Sequence, residues 1–250
     1  MKADTDDSVR IAPPSGWRLE RGEVHVWRAF LDEEASDAPR LEQKVLSDDE
    51  RERARRICRE RDRLRFVAAR GVLRILLGRY LGTEGGRLRF QYGPFGKPGL
   101  SEAGGEAPIY FNVTHSDDLA FFAITGEGEV GVDAEHVREI PEWEWIAAAC
   151  FAPEDEARLH GLAGEDRMGD FFRAWTRREA LLKASGRGWS GSGGAESQSR
   201  PAPDWTVRDF APGPSGCAAA LAVASREHWG VKLRSFRSIP NAQAPAARAC

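Results

Sequence analysis

The chain has 250 residues, enough for one large domain or two small ones. Lys and Arg number 36 against 39 Asp and Glu, a formal charge of −3. That excludes a generic polyanion binder with an all-basic surface but leaves room for a local basic pocket. An apolar fraction of 41% with eight tryptophans supports a real core, and no apolar run approaches the roughly 18 residues of a membrane span.

In chain order, residues 1–16 are polar, lack an apolar signal core and end in Pro13-Pro14-Ser15-Gly16, which predicts a loose tail. Residues 22–31 alternate, with Val24, Val26 and Arg28 on one face and His25, Trp27 and Ala29 on the other, a strand. Ser47-Asp48-Asp49-Glu50 reads as a capped helix start. From 61 to 81 the apolar set Leu64, Val67, Ala68, Gly71, Val72 and Ile75 recurs at helical spacing. After Gly82 come short extended runs. Residues 87–91 lead into Gly93-Pro94-Phe95-Gly96-Lys97-Pro98, a turn by composition. Residues 109–113, 119–125 and 129–137 read as strands. Pro141 and Pro153 each open a helical segment, and 170–185 forms a helix that stops at Gly186. The Gly/Ser/Pro-rich 190–203 reads as a mobile loop, 217–224 as a buried strand and 238–250 as a tail. This order predicts an α+β protein in two similar halves meeting near 126–131, without a visible internal repeat.

Cys58, Cys150, Cys217 and Cys250 are too scattered for a zinc pattern or a disulfide framework, and suit reduced thiols in the cytoplasm. His25, His115, His136, His160 and His228 share no i,i+4 pair. Three constellations carry more chemistry. In Gly131-Val132-Asp133-Ala134-Glu135 the two carboxylates share a strand face, where a cation would relieve their repulsion. Oxygen ligands of this kind suit Mg²⁺ or Mn²⁺, although a lone Asp-x-Glu is also an ordinary solvated face. Trp175, Glu179 and Lys183 fall on one helix stripe, which by itself is also a plain i,i+4 ion pair. Phe111-Asn112-Val113-Thr114-His115-Ser116 is a strand running into a polar turn able to hold phosphate oxygens, or simply a strand end.

Taken together, Gly96-Lys97-Pro98, Asn112-Val113-Thr114-His115-Ser116, Gly131-Val132-Asp133-Ala134-Glu135 and Trp175-Thr176-Arg177-Arg178-Glu179-Ala180-Leu181-Leu182-Lys183 resemble the motif series of the 4′-phosphopantetheinyl transferases. Within that family the chain looks like the large, two-lobed surfactin type, over roughly residues 20–237. Thr114 stands where the family usually has Ser, and Arg178 where it has Lys.

The resemblance implies two similar α/β lobes related by a pseudo-twofold, 17–127 and 128–237, with the active site in the cleft between them. It implies transfer of the phosphopantetheine arm of coenzyme A to a serine of an apo acyl or peptidyl carrier protein, releasing adenosine 3′,5′-bisphosphate. By the same resemblance Asp133, Glu135 and Glu179 hold Mg²⁺ (or Mn²⁺), and Glu179 is also the favoured base for the serine. Lys183 neutralises the pyrophosphate. His115 touches the 3′-phosphate beside Thr114 and Ser116. Gly96 and Lys97 shape the nucleotide pocket, which Arg61, placed by counting back along its helix, completes. The implied enzyme is a cytoplasmic monomer with no nucleic-acid or membrane partner. A non-catalytic module that holds coenzyme A or a carrier is the competing reading, but it has no need of Asp133, Glu135, Glu179 and Lys183 together. A phosphoryl transferase of the P-loop kind would carry Gly-x-x-x-x-Gly-Lys-Ser/Thr, which is absent.

Overall fold

Strand β1 (Glu23–Phe30) is one of the two inner strands of the larger sheet in a computed structural model describing residues 17–101, 108–186, 204–213, 216–224 and 229–237. The tails and the 190–203 loop expected from the sequence lie outside the described residues. The alternation in β1 does not separate a wet face from a dry one: His25 and Trp27 are as buried as Val24 and Val26. Each face meets a different neighbour. Trp27 and Ala29 pack with the long helix of the first half, while Val24 and Val26 pack against strands of the second.

Two short helices that the sequence pattern did not signal follow, α1 (Leu31–Glu34) and α2 (Ala38–Lys44). Helix α3 (Asp48–Arg55) starts at the Ser47 capping box, in which the Ser47 N–H donates to Glu50 Oε2 at 3.1 Å. Helix α4 (Glu60–Leu81) runs 22 residues and ends on left-handed Gly82. Its Arg74 is fully buried, donating to Glu50, Ser47 Oγ and the carbonyls of Gly85 and Leu88. Glu50 also accepts from Arg70, so one carboxylate ties α3 to two turns of α4.

Strands β2 (Phe90–Tyr92) and β3 (Pro98–Leu100) form a small hairpin. Strands β4 (Tyr110–Ser116) and β5 (Leu119–Thr125) pair antiparallel, and β5 continues onto β1. Strand β6 (Val130–His136) begins a separate sheet. After α5 (Trp143–Cys150) and α6 (Pro153–His160), helix α7 (Gly164–Ser185) starts six residues before the expected 170. Strands β7 (Trp205–Asp209), β8 (Cys217–Ala224) and β9 (Gly230–Ser235) complete the chain. The sheets read β4-β5-β1-β9 and β6-β8-β7. Strand β9, counted with the second half from the sequence, returns to pair in parallel with β1. No helix among the described residues is long and apolar enough to cross a membrane.

Helix α7 lies on β6 and β8 through small side chains: Ala180, Ala184, Ala220 and Ala222 are all buried there. At Gly131 the contact is backbone to backbone. A β-carbon at this position would stand 2.0 Å from Ala180 O and 2.4 Å from Ala184 N. Gly131→Ala is therefore expected to push α7 off β6, at a cost of about 1–3 kcal/mol or more in urea denaturation. Gly230→Ala, with nothing near its added carbon, should stay within about 0.5 kcal/mol of the parent.

Candidate active site

Strands β4 and β6 run side by side but belong to different sheets, so no backbone ladder joins them. Alternate side chains of β4 make the joint instead. Asn112 Oδ1 accepts from the Val132 N–H at 3.0 Å, Thr114 Oγ1 donates to Asp133 Oδ1 at 3.0 Å, and Ser116 Oγ donates to Glu135 Oε2 at 2.8 Å. Residues two apart on a strand share a face, which brings all three to the seam. Thr114 and Ser116, assigned from the resemblance to the nucleotide phosphate, spend these hydroxyl protons on carboxylates of β6.

Thr114, His115, Asp133, Glu135, Trp175, Glu179 and Lys183 line one cavity of about 400 Å³. Asp133 is buried, and its Oδ1 accepts from Lys183 Nζ at 2.5 Å. Lys183 also donates to Thr114 Oγ1 at 3.0 Å, so among the described residues it uses two of its three donors. Glu179 stands one turn before Lys183 on the same stripe. Burial, and then the Asp133 charge, push its pKa above the usual glutamate value against the pull of Lys183 and Arg178.

A second cavity, about 230 Å³, shares Glu179 and Lys183 and is otherwise lined by the β2–β3 turn, β4 and the end of α7. Gly96, at φ 80°, makes that turn, and Phe95, Gly96, Lys97 and Pro98 all face the cavity. Lys97 Nζ, however, is bonded to Glu129, Ala184 O and Val130 O. Burial lowers its pKa, partly offset by Glu129.

His115 is exposed at the end of β4. Crowding by protein, and then the charges of Lys183 and Arg65, hold its imidazole below the ordinary pKa, with Glu135 opposing. The structure does not bring Arg61 to either cavity: it is 71% exposed and paired with Asp32 at 2.8 Å. Arg65, one turn further on the same face of α4, is the arginine that His115 feels. It is 14% exposed and makes two bonds to Asp32, which holds that carboxyl well below the usual range. Counting in steps of four from Arg61 towards the C-terminus would have found it.

Among the described residues, no three His, Cys, Asp or Glu side chains converge as a ready metal-binding group. The carboxylates assigned to a metal from the resemblance, Asp133, Glu135 and Glu179, line the cavity but are partly engaged elsewhere. Lys183 takes Asp133 Oδ1, and Ser116 with Arg138 takes Glu135 Oε2. Yet Asp133 Oδ2 and Glu179 Oε1 are both buried and find no hydrogen-bond partner among the described residues. Two buried orphan carboxylate oxygens in one cavity fit a hard divalent cation.

Residues 129–225 match the family described as the 4′-phosphopantetheinyl transferase superfamily. The chain is 37% identical over 222 residues to a Nostoc protein named 4′-phosphopantetheinyl transferase HetI, covering 86% of this chain and 93% of that one. It is 41% identical over 149 residues, 60% of each chain, to a Synechocystis protein named putative 4′-phosphopantetheinyl transferase slr0495. To 4′-phosphopantetheinyl transferase AcpT of Escherichia coli K12 it is 37% identical over 95 residues, 38% of this chain and 47% of that one. The family match over 129–225 runs through the strand and helix that carry Asp133, Glu135, Glu179 and Lys183, and with the relative of 37% identity over most of its length the chain belongs to the 4′-phosphopantetheinyl transferase superfamily.

Proposed function

We propose that this chain carries out the family reaction as a large, two-lobed enzyme of the surfactin type, with one chain supplying both walls of its cleft. The reaction moves the phosphopantetheine arm of coenzyme A onto a serine of an apo acyl or peptidyl carrier protein. Support for the two-lobe reading comes from the architecture: each larger sheet carries one 22-residue helix, α4 on the first and α7 on the second. The lobes are 17–127 and 128–237, with β9 lent to the first sheet. Both cavities draw residues from β4 and from α7, which supports a single chain that supplies both walls of the site. Sedimentation at micromolar concentration should give a single-chain mass. A cytoplasmic location suits the free thiols Cys58, Cys150 and Cys217.

One observation carries the assignment of roles: Glu179, Lys183 and Asp133 meet in one cavity with unequal commitments. Glu179 keeps an unpartnered oxygen and a raised pKa, which suits a base taking the proton of the incoming serine hydroxyl. Lys183 is held by Asp133 and Thr114 while a third donor stays available for a pyrophosphate oxygen. Asp133 and Glu179, with Glu135 two residues along β6, would hold Mg²⁺ or Mn²⁺. Such an ion, when bound, spreads the charge that develops on the pyrophosphate. The serine oxygen then attacks the β-phosphorus and adenosine 3′,5′-bisphosphate leaves. His115, whose imidazole feels the charges of Lys183 and Arg65, takes the 3′-phosphate in this reading.

The direct test is incubation with coenzyme A, Mg²⁺ and a panel of apo-carriers, read by intact mass. A carrier gaining the arm supports the reading; no gain on any carrier sinks it. Asp133→Asn and Glu179→Gln should each abolish transfer while leaving the fold intact. In metal-free buffer Glu179→Gln should also raise the melting temperature. A carboxyl with a raised folded pKa contributes stability below its unfolded value of 4.5 and loses it as pH rises through the folded value. The gain should therefore be clear at pH 7–8 and absent below pH 4.5.

Removal of a charged phosphate contact should cost about 1.5–3 kcal/mol, roughly ten- to 150-fold in affinity. His115→Ala is expected to raise KM for coenzyme A on that scale, with turnover at saturation falling far less than in Glu179→Gln. With dephospho-coenzyme A the same variant should behave like the parent.

A further inference from the structure

Lys97 is a cation of the motif set that the reaction as described does not use. It follows left-handed Gly96 at the exit of the β2–β3 turn, and its side chain is 17% exposed. Its ammonium reaches Glu129 Oε2 at 2.6 Å, Ala184 O at 2.8 Å and Val130 O at 3.1 Å. An ammonium has three N–H donors and nothing else to offer. All three are taken.

The acceptors come from two segments that matter to the cavity. Ala184 lies in the last turn of α7, where carbonyls lack intrahelical partners and carry the negative end of the helix dipole. It is the residue after Lys183. Val130 opens β6, three residues before Asp133. The Lys97 stem also passes the left-handed Gly186 that ends α7: a β-carbon there would stand 3.7 Å from Lys97 Cδ. One side chain thus pins the β2–β3 hairpin to the end of α7 and the start of β6. An ammonium that turned to a phosphate would strand two carbonyls in a partly closed site.

We propose that Lys97 is a positioning residue for the transfer, not a phosphate ligand: it clamps the end of α7 to the start of β6 and so sets Lys183 and Glu179 over Asp133. This rests on the roles given above to Glu179 and Lys183. A phosphate ligand would show its loss in cofactor affinity, and a merely structural lysine would show it in stability alone. A positioning lysine shows it in turnover at saturating cofactor.

The test uses the full chain with Mg²⁺ and an apo-carrier that the parent modifies, comparing the parent with Lys97→Met and Lys97→Arg. Arginine keeps the charge, but its planar fork does not match three acceptors converging from different segments on a compact ammonium. The measurements are kcat at saturating coenzyme A, the calorimetric Kd for coenzyme A and the melting temperature. The proposal requires kcat to fall at least fivefold in each folded variant while Kd stays within threefold of the parent. A kcat that falls less, or a Kd that weakens beyond threefold, overturns it, whatever the melting temperature does. If Lys97→Met does not fold, Lys97→Arg decides alone by the same criteria. Glu179→Gln run in parallel keeps the two readings apart: retained transfer there removes the role of Glu179, whereas the Lys97 variants report on the clamp.

Discussion

A β-carbon on residue 131 would overlap the carbonyl oxygen of Ala180, so α7 rests on β6 only because that residue is glycine. The rest of the site depends on this contact. Ala180 and Ala184, which touch Gly131, directly follow Glu179 and Lys183 in sequence. The depth at which the helix seats therefore fixes how far these two side chains reach over the strand. Asp133, two residues along β6 from the contact, meets Lys183 at 2.5 Å. With any larger residue at 131 the helix would ride higher, and Lys183 would have to reach further to meet Asp133. The small residues around it, Ala180, Ala184, Ala220 and Ala222, extend the same close packing along the interface.

The second constraint is electrostatic. Three carboxylates and a lysine share a cavity of about 400 Å³, and their demands are met unequally. Lys183 and Thr114 satisfy one oxygen of Asp133, whereas the other, together with Glu179 Oε1, is left orphaned. Burial of an unpaired carboxylate oxygen is costly, and a fold retains it where a ligand or a reaction makes use of it. The raised pKa of Glu179 has the same origin: it is half-buried and feels the charge of Asp133. The hub around Arg74 carries no such deficit. Buried Arg74 finds Glu50, Ser47 and two carbonyls, so that every charge in that hub is answered.

Between these two regions runs the seam of β4 and β6. Side chains replace a ladder there, and each bond ends on β6 at or beside a carboxylate that lines the cavity. Asn112 fixes the strand, Thr114 turns Asp133 and Ser116 turns Glu135. Thr114 in place of the usual serine keeps the hydroxyl that this requires, and its added methyl is accommodated in a buried position. The polar stretch of β4 thus holds the two carboxylates of β6 in place.

Much of this was legible in the residues. Two-residue spacing put Asp133 beside Glu135, and four-residue spacing put Trp175, Glu179 and Lys183 on one stripe, because strand and helix periods are local properties of the chain. The capping box at Ser47, the turn at Gly96 and the helix end at Gly186 are local in the same way. Pairing between distant segments is not. Nothing near Lys97 announces that its acceptors lie at 129, 130 and 184, and nothing near Thr114 or Ser116 announces that their hydroxyls donate to carboxylates of β6. Arg61 and Arg65 carry the same charge one turn apart, and only the position of α4 over β4 decides which of them acts on His115. The return of β9 to β1 is likewise invisible in a short exposed run. The sequence by itself determined which groups exist and which face of its own element each occupies. The tertiary structure alone decided which of those groups spend their donors on the protein and which keep them, because that depends on contacts between residues 19 to 87 positions apart.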